Sequence, residues 1–130
     1  MKKVLFILIF FPLIVFGQVE VKKEFWDNGK LKLEENYKDG KLEGLWVSYF
    51  ENGVLSIKGN YKEDKQEGDW KSYYDSGQLY LDRFYKDGNL DGFFKSYYDN
   101  GQLKYVWNYK DSEIISQKYW DKNGVKIVKN

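Results

Sequence analysis

With no His and no Cys in 130 residues, the chain lacks the commonest general base, the usual zinc ligands and the thiol nucleophile. What recurs at fixed intervals is a set of carboxylates, serines and tyrosines. Asp27, Glu51, Asp75 and Asp99 each stand directly before Asn-Gly or Ser-Gly, the setting of a hairpin turn, so turn chemistry accounts for them without catalysis. Glu43, Glu67 and Asp91 each precede a glycine. An acidic ladder of this kind is the donor set of a calcium site, but Lys41, Lys65 and Lys71 lie close by and no dense oxygen cluster forms. Ser48, Ser72 and Ser96 have no base to activate them. Neither a Gly-x-Gly-x-x-Gly nor a Walker phosphate loop occurs. The residues therefore predict a protein that is not an enzyme, with no catalytic residue, no cofactor and no metal site. Tyr49, Tyr73 and Tyr97 remain as candidate partner-binding residues, because a half-exposed tyrosine ladder can grip a protein surface.

These residues owe their spacing to a repeat. Tyr49-Phe50-Glu51-Asn52-Gly53 returns as Tyr73-Tyr74-Asp75-Ser76-Gly77 and Tyr97-Tyr98-Asp99-Asn100-Gly101, after a first copy at Phe25-Trp26-Asp27-Asn28-Gly29. The interval is 24 residues throughout, and Gly44, Gly68 and Gly92 keep it too. A fixed period of this size means one supersecondary unit stacked on copies of itself. Within a unit, Gly44 to Phe50 reads as a strand with Trp46, Ser48 and Phe50 on one face and Leu45, Val47 and Tyr49 on the other. Asn52-Gly53 is a tight turn whose residues accept positive φ. Val54 to Tyr61 is the returning strand, and Lys62 to Glu67 connects it to Gly68. Trp46, Trp70 and Phe94 form one column, and Phe50, Tyr74 and Tyr98 another. A single hairpin is marginal in water, so the units need one another.

Composition supports the same architecture. The chain contains no Ala and no Thr, while Tyr, Trp and Phe favour pleated surfaces and Gly, Asn and Asp favour turns. The fold class read from this is all-β, an antiparallel meander of stacked β-hairpins. Its units run at about 25–48, 49–72, 73–96 and 97–118, with a partial cap at 119–130. The end units deviate: Lys22 and Glu24 take the Trp and Ser places in the first, which suits an edge strand that must not recruit another sheet. In the last, Tyr109 and Tyr119 are 10 residues apart instead of 12, and Asp121-Lys122-Asn123-Gly124 reads as a turn with one extra residue.

Residues 1–17 stand apart from the repeat domain at 18–130. Lys2 and Lys3 precede an unbroken apolar run, Val4 to Phe16, followed by Gly17. This is the pattern of a secretory signal peptide cut between Gly17 and Gln18. The run is shorter than the roughly 20 residues a spanning helix needs, so no stable membrane anchor is expected after cleavage. The reading is an exported protein, periplasmic, in the cell envelope or secreted. Without Lys2 and Lys3, 19 basic side chains face 20 acidic ones, net −1. That balance argues against nucleic acid as a partner. With no cysteine, no disulfide framework supports the fold.

Two segments carry a family resemblance. Asn36-Tyr37-Lys38-Asp39-Gly40-Lys41-Leu42-Glu43-Gly44-Leu45-Trp46 and Tyr85-Lys86-Asp87-Gly88-Asn89-Leu90-Asp91-Gly92-Phe93-Phe94 each lead into Tyr-Tyr or Tyr-Phe, an acid, Asn-Gly and Leu. They resemble the bacterial variant of the MORN repeat, the type found in proteins labelled YwqK-family antitoxins, over roughly residues 25–124. The resemblance implies a MORN-like single sheet of hairpins used as a scaffold or binding surface. The antitoxin label implies neutralising a toxin by direct binding, and with an export signal such a toxin would act outside the cytosol. The leading functional expectation is an exported scaffold for protein–protein contact. A glycan-binding module of the envelope, with the tyrosines stacked on sugar rings, and an immunity protein are the alternatives.

Overall fold

The computed structural model describes residues 17–128, so the signal-peptide reading falls almost wholly outside the described residues. The rest is one ten-stranded antiparallel sheet in sequential order. The strands are β1 (Val19–Phe25), β2 (Leu31–Lys38), β3 (Lys41–Tyr49), β4 (Leu55–Lys62), β5 (Lys65–Tyr73), β6 (Leu79–Lys86), β7 (Asn89–Tyr97), β8 (Leu103–Lys110), β9 (Glu113–Trp120) and β10 (Lys126–Ile127). The expected all-β meander of hairpins is therefore what the chain forms.

Two kinds of turn alternate along it. At the Asn-Gly turns, the Gly53 N–H donates to the Phe50 carbonyl (2.8 Å) and the Phe50 N–H to the Val54 carbonyl (2.8 Å). Gly53 alone takes a positive φ there, +91°. Asn52 has a different duty from the one its sequence suggests. Its side-chain carbonyl accepts from the Val54 N–H (2.9 Å), and its amide donates to the Asp75 carbonyl of the next turn (2.9 Å). Asn28 and Asn100 do the same toward Glu51 and Lys122. The other turns are two-residue hairpins, and here the structure corrects the sequence reading. Lys62 to Glu67 is no connecting loop: Lys62 pairs with Lys65, and Glu63 and Asp64 turn the chain at φ 47° and 66°. The strand that follows is nine residues long instead of about six or seven.

The extra strand length is absorbed by bulges. Between the Glu35–Trp46 and Tyr37–Leu42 pairs, the single residue Asn36 faces three residues of β3 centred on Gly44. The same irregularity recurs around Gly68 and Gly92. Gly44 has a φ of 93°, which is why a glycine marks this place in each unit. In the last unit the shift is one residue, with Asn108 opposite Ser116 and Tyr109 opposite Ile114. That accounts for one of the two missing residues; the other is accounted for by Trp120, and not Tyr119, taking the place equivalent to Tyr97. Asp121 to Gly124 is then an ordinary turn, closed by Gly124 N–H to the Asp121 carbonyl (3.0 Å), and contains no extra residue.

The core is a stripe on one face of this single layer. Cross-strand pairing sets Trp46 against Gly59, and Trp70, Arg83, Phe94 and Trp107 in succession beyond it. Trp70 is 3 % exposed. Its ring lies so close over Gly59 that a Cβ there would come within 2.1 Å of the indole. Trp46 sits 5.7 Å from Trp70, and Tyr61 meets it edge-on at 5.1 Å. A second cluster gathers Phe94, Tyr105, Trp107 and Tyr109. Such pairs contribute about 0.5–1.5 kcal/mol each beyond area burial. Ser72 and Ser96 are buried beside the rings, where only a small side chain fits between large ones.

This packing fixes two outcomes in denaturant unfolding. Trp70→Ala costs about 3–5 kcal/mol, and Trp26→Ala, at the half-exposed first turn, distinctly less. Gly59→Ala costs about 1–3 kcal/mol by overpacking the indole, although no unusual φ is involved. Equal losses for the two tryptophans, or a neutral Gly59→Ala, would contradict the stacking described.

Candidate functional site

Strand alternation gives the sheet a second face, opposite the aromatic spine. On β5, Lys71 and Tyr73 alternate with Trp70 and Ser72; on β7, Lys95 and Tyr97 alternate with Phe94 and Ser96. The pairing register aligns Lys23, Glu34, Val47, Lys58, Lys71, Asp82, Lys95, Val106 and Lys118 in one row across nine strands. Lys23–Glu34 (3.0 Å) and Lys71–Asp82 (3.3 Å) are ion pairs within it. Both are exposed enough to add little stability. Lys58 and Lys71 stand directly opposite each other, an arrangement that costs stability.

Tyr49, Tyr73 and Tyr97 lie just beyond this row, each the last residue of its strand and paired with Leu55, Leu79 and Leu103. Register adds two members the repeat pattern did not name. Phe25 pairs with Leu31, and Trp120 with Lys126, at the same place in the first and last hairpins. Equivalent residues two strands apart are about 9.5 Å apart, from a strand spacing of about 4.8 Å. All three tyrosines are half-buried. The Tyr97 phenol is pushed up by burial first and then by the Asp82 charge, with Lys71 opposing.

Other tyrosines have structural duties. Tyr74 and Tyr98 donate their hydroxyls to the Tyr97 and Trp120 carbonyls one hairpin on, at 2.8 and 3.0 Å, and the Trp26 indole N–H does the same toward Tyr49 (3.0 Å). Tyr37 donates to Glu35 Oε2 (2.9 Å), whose other oxygen accepts from the Trp46 indole (3.0 Å). Burial, then the hydrogen bond to Glu35 and its charge, push the Tyr37 phenol up to about 12. Tyr49, Tyr73 and Tyr97 make no comparable side-chain hydrogen bond or ring contact.

The remaining candidates resolve into structure. Glu43 Oε2 accepts from the Glu63 N–H and Glu67 Oε2 from the Asp87 N–H, both at 2.8 Å, so two members of the second acidic set tie one hairpin turn to the next. Among the described residues no group of three or more acidic side chains gathers as a metal site. Sequence reasoning missed Arg83, the chain's one arginine. It stands in the spine between Trp70 and Phe94. Its Nη2 donates to Ser72 Oγ (2.6 Å) while its Nε is buried without a hydrogen-bond partner. The repeat itself carried the signal, since Arg83 stands one period after Gly59. Exposed Phe84 and Phe93 were missed as well.

The model of the MORN repeat variant family matches residues 21–39, 42–63, 66–87 and 90–111, more than half the chain. No curated protein matches it.

Burial also raises the Tyr61, Tyr74 and Tyr109 phenols. A phenol whose folded value lies above its unfolded value of 10.0 holds its proton more tightly in the native state. The stability it contributes is complete below about pH 10 and is lost as pH rises toward the folded values. Denaturant unfolding should therefore show stability falling between about pH 10 and pH 12, with a shallower fall in Tyr37→Phe. A flat profile across that range would contradict the assignment.

Proposed function

This chain belongs to the MORN repeat variant family, and we propose that it is an exported, non-enzymatic scaffold that holds a protein partner on its tyrosine face. One observation carries the reading. The sheet presents Tyr49, Tyr73 and Tyr97 once per hairpin, half-buried, with hydroxyls that no internal hydrogen bond uses. Rigid aromatic side chains with an available polar tip contribute disproportionately to protein interfaces. The charged row alongside supplies ions of both signs, which favours register and specificity over raw affinity. The fold supports a binding role by its form as well: an extended repeat sheet offers a long surface that no second layer covers. Export rests on the N-terminal pattern of Lys2, Lys3 and the apolar run that follows. An antitoxin-type role fits the same surface, the toxin then being the partner held there.

The test compares the mature chain from Gln18 with a Tyr73→Ala/Tyr97→Ala variant of unchanged thermal midpoint, each used as bait in envelope and periplasmic extracts. A discrete partner captured by the first and reduced at least tenfold by the second is the expected result. Capture that is equal in both rejects the tyrosine face. Retention on peptidoglycan or polysaccharide with no protein captured would replace the protein partner with a glycan.

A further inference from the structure

The third bulge departs from the other units in a way the fold does not require. Positions 36, 60 and 108 are asparagine, but position 84 is phenylalanine. In the first unit Asn36 spans the bulge, its amide donating to the Leu45 carbonyl (2.7 Å); Phe84 has no group for that bond and stands 40 % exposed. Phe93, one period after Asp69 and two after Leu45, is 56 % exposed. The acid of the bulge differs too. Glu43 and Glu67 latch the next turn, whereas Asp91, one methylene shorter, makes no hydrogen bond or ion pair. Asp69, directly opposite Phe84, makes none either.

These side chains wall an open groove of about 340 Å³, together with Asp82, Arg83, Gly92 and Lys95, the Arg83 guanidinium being engaged by Ser72 Oγ (2.6 Å). Asp82 is neutralised by Lys71 at 3.3 Å. Lys95 holds its ammonium 5.6 Å from the centre of the Phe93 ring, so one ring of the groove already receives a cation from its own strand. The Phe84 ring and the Asp69 and Asp91 carboxylates have no such partner. Two exposed rings flanked by two unpaired carboxylates match a long cationic side chain, its aliphatic stem on the rings and its charge on the acids.

We propose that this groove docks a lysine or arginine side chain from a basic, extended peptide segment of a partner. The site goes beyond the tyrosine ladder and contains none of its tyrosines, although Asp82 and Lys95 belong to the charged row beside it, and either can fail alone.

The probe is a dye-labelled peptide of alternating lysine and serine, titrated with the mature chain and followed by fluorescence anisotropy. Saturable binding is expected, weakening with added salt, and no binding of the matching glutamate–serine peptide. Phe84→Asn restores the residue of the other three units and should weaken binding at least tenfold. Asp91→Glu, which restores the latching acid of the first two units, should also weaken it, and Tyr73→Ala should leave it unchanged. Should Phe84→Asn lower the thermal midpoint, the Asp69→Asn/Asp91→Glu pair decides. The proposal is overturned by absence of binding, by equal binding of the acidic peptide, or by groove variants that bind as well as the parent chain.

Discussion

A sheet with no second layer must bury its apolar surface against itself, and everything else in this molecule follows from that constraint. Most domains cover a sheet with helices or another sheet. Here large rings lie down along the strands and cover their neighbours' backbones. Trp70 resting on Gly59 is the extreme case, where a side chain packs on a residue that has none. Burial is narrow: among the described residues the buried apolar side chains are Trp70 in the spine and Val47 in the charged row of the opposite face. A core so thin in a chain without disulfides cannot tolerate loose strand register, so register must be fixed from elsewhere.

The turns supply that control. Along one side of the sheet Asn28, Asn52 and Asn100 each donate to the carbonyl of the next turn. Along the other, the Leu42 N–H donates to Asp64 Oδ1 and the Asp64 N–H to the Leu42 carbonyl, with Glu43 and Glu67 closing further bonds. Each hairpin satisfies polar groups its neighbour leaves open, so polar satisfaction and strand spacing are secured by the same bonds. At Ser76 the asparagine tie is missing, its hydroxyl accepting from the Gln78 N–H (3.4 Å), and the Tyr74 hydroxyl ties that turn to the next through the Tyr97 carbonyl (2.8 Å). In the same hairpin, Arg83 interrupts the aromatic spine. A buried guanidinium nitrogen without a partner is costly, and its place between the two ring clusters marks a seam in otherwise uniform packing.

Much of this was legible in the residues. The period, the strand alternation and the Asn-Gly turns follow from local chemistry that each unit repeats. The bulges were not legible as such, because a bulge is a relation between two strands and its glycine looks like a turn signal. Glu63 illustrates the same limit: unlike Asp64 beside it, glutamate is not among the residues enriched at positive φ, and what holds it there is the bond from its N–H to Glu43 of the preceding hairpin. Trp120 joined the tyrosine column only because the last bulge is one residue shorter. Tyr49, Tyr73 and Tyr97 could be picked from the sequence by their spacing. Phe84 and Phe93 could have been noticed as departures from the repeat, but their exposure depends on the face the bulge gives them.

Sequential strand order places β1 and β10 on opposite edges of the sheet, joined by no strand that crosses back. Tension between those edges acts across the strands and loads the backbone bonds in peeling, one ladder at a time, where a shearing load would strain a whole ladder together. Mechanically the molecule is an extensible tape that lengthens hairpin by hairpin.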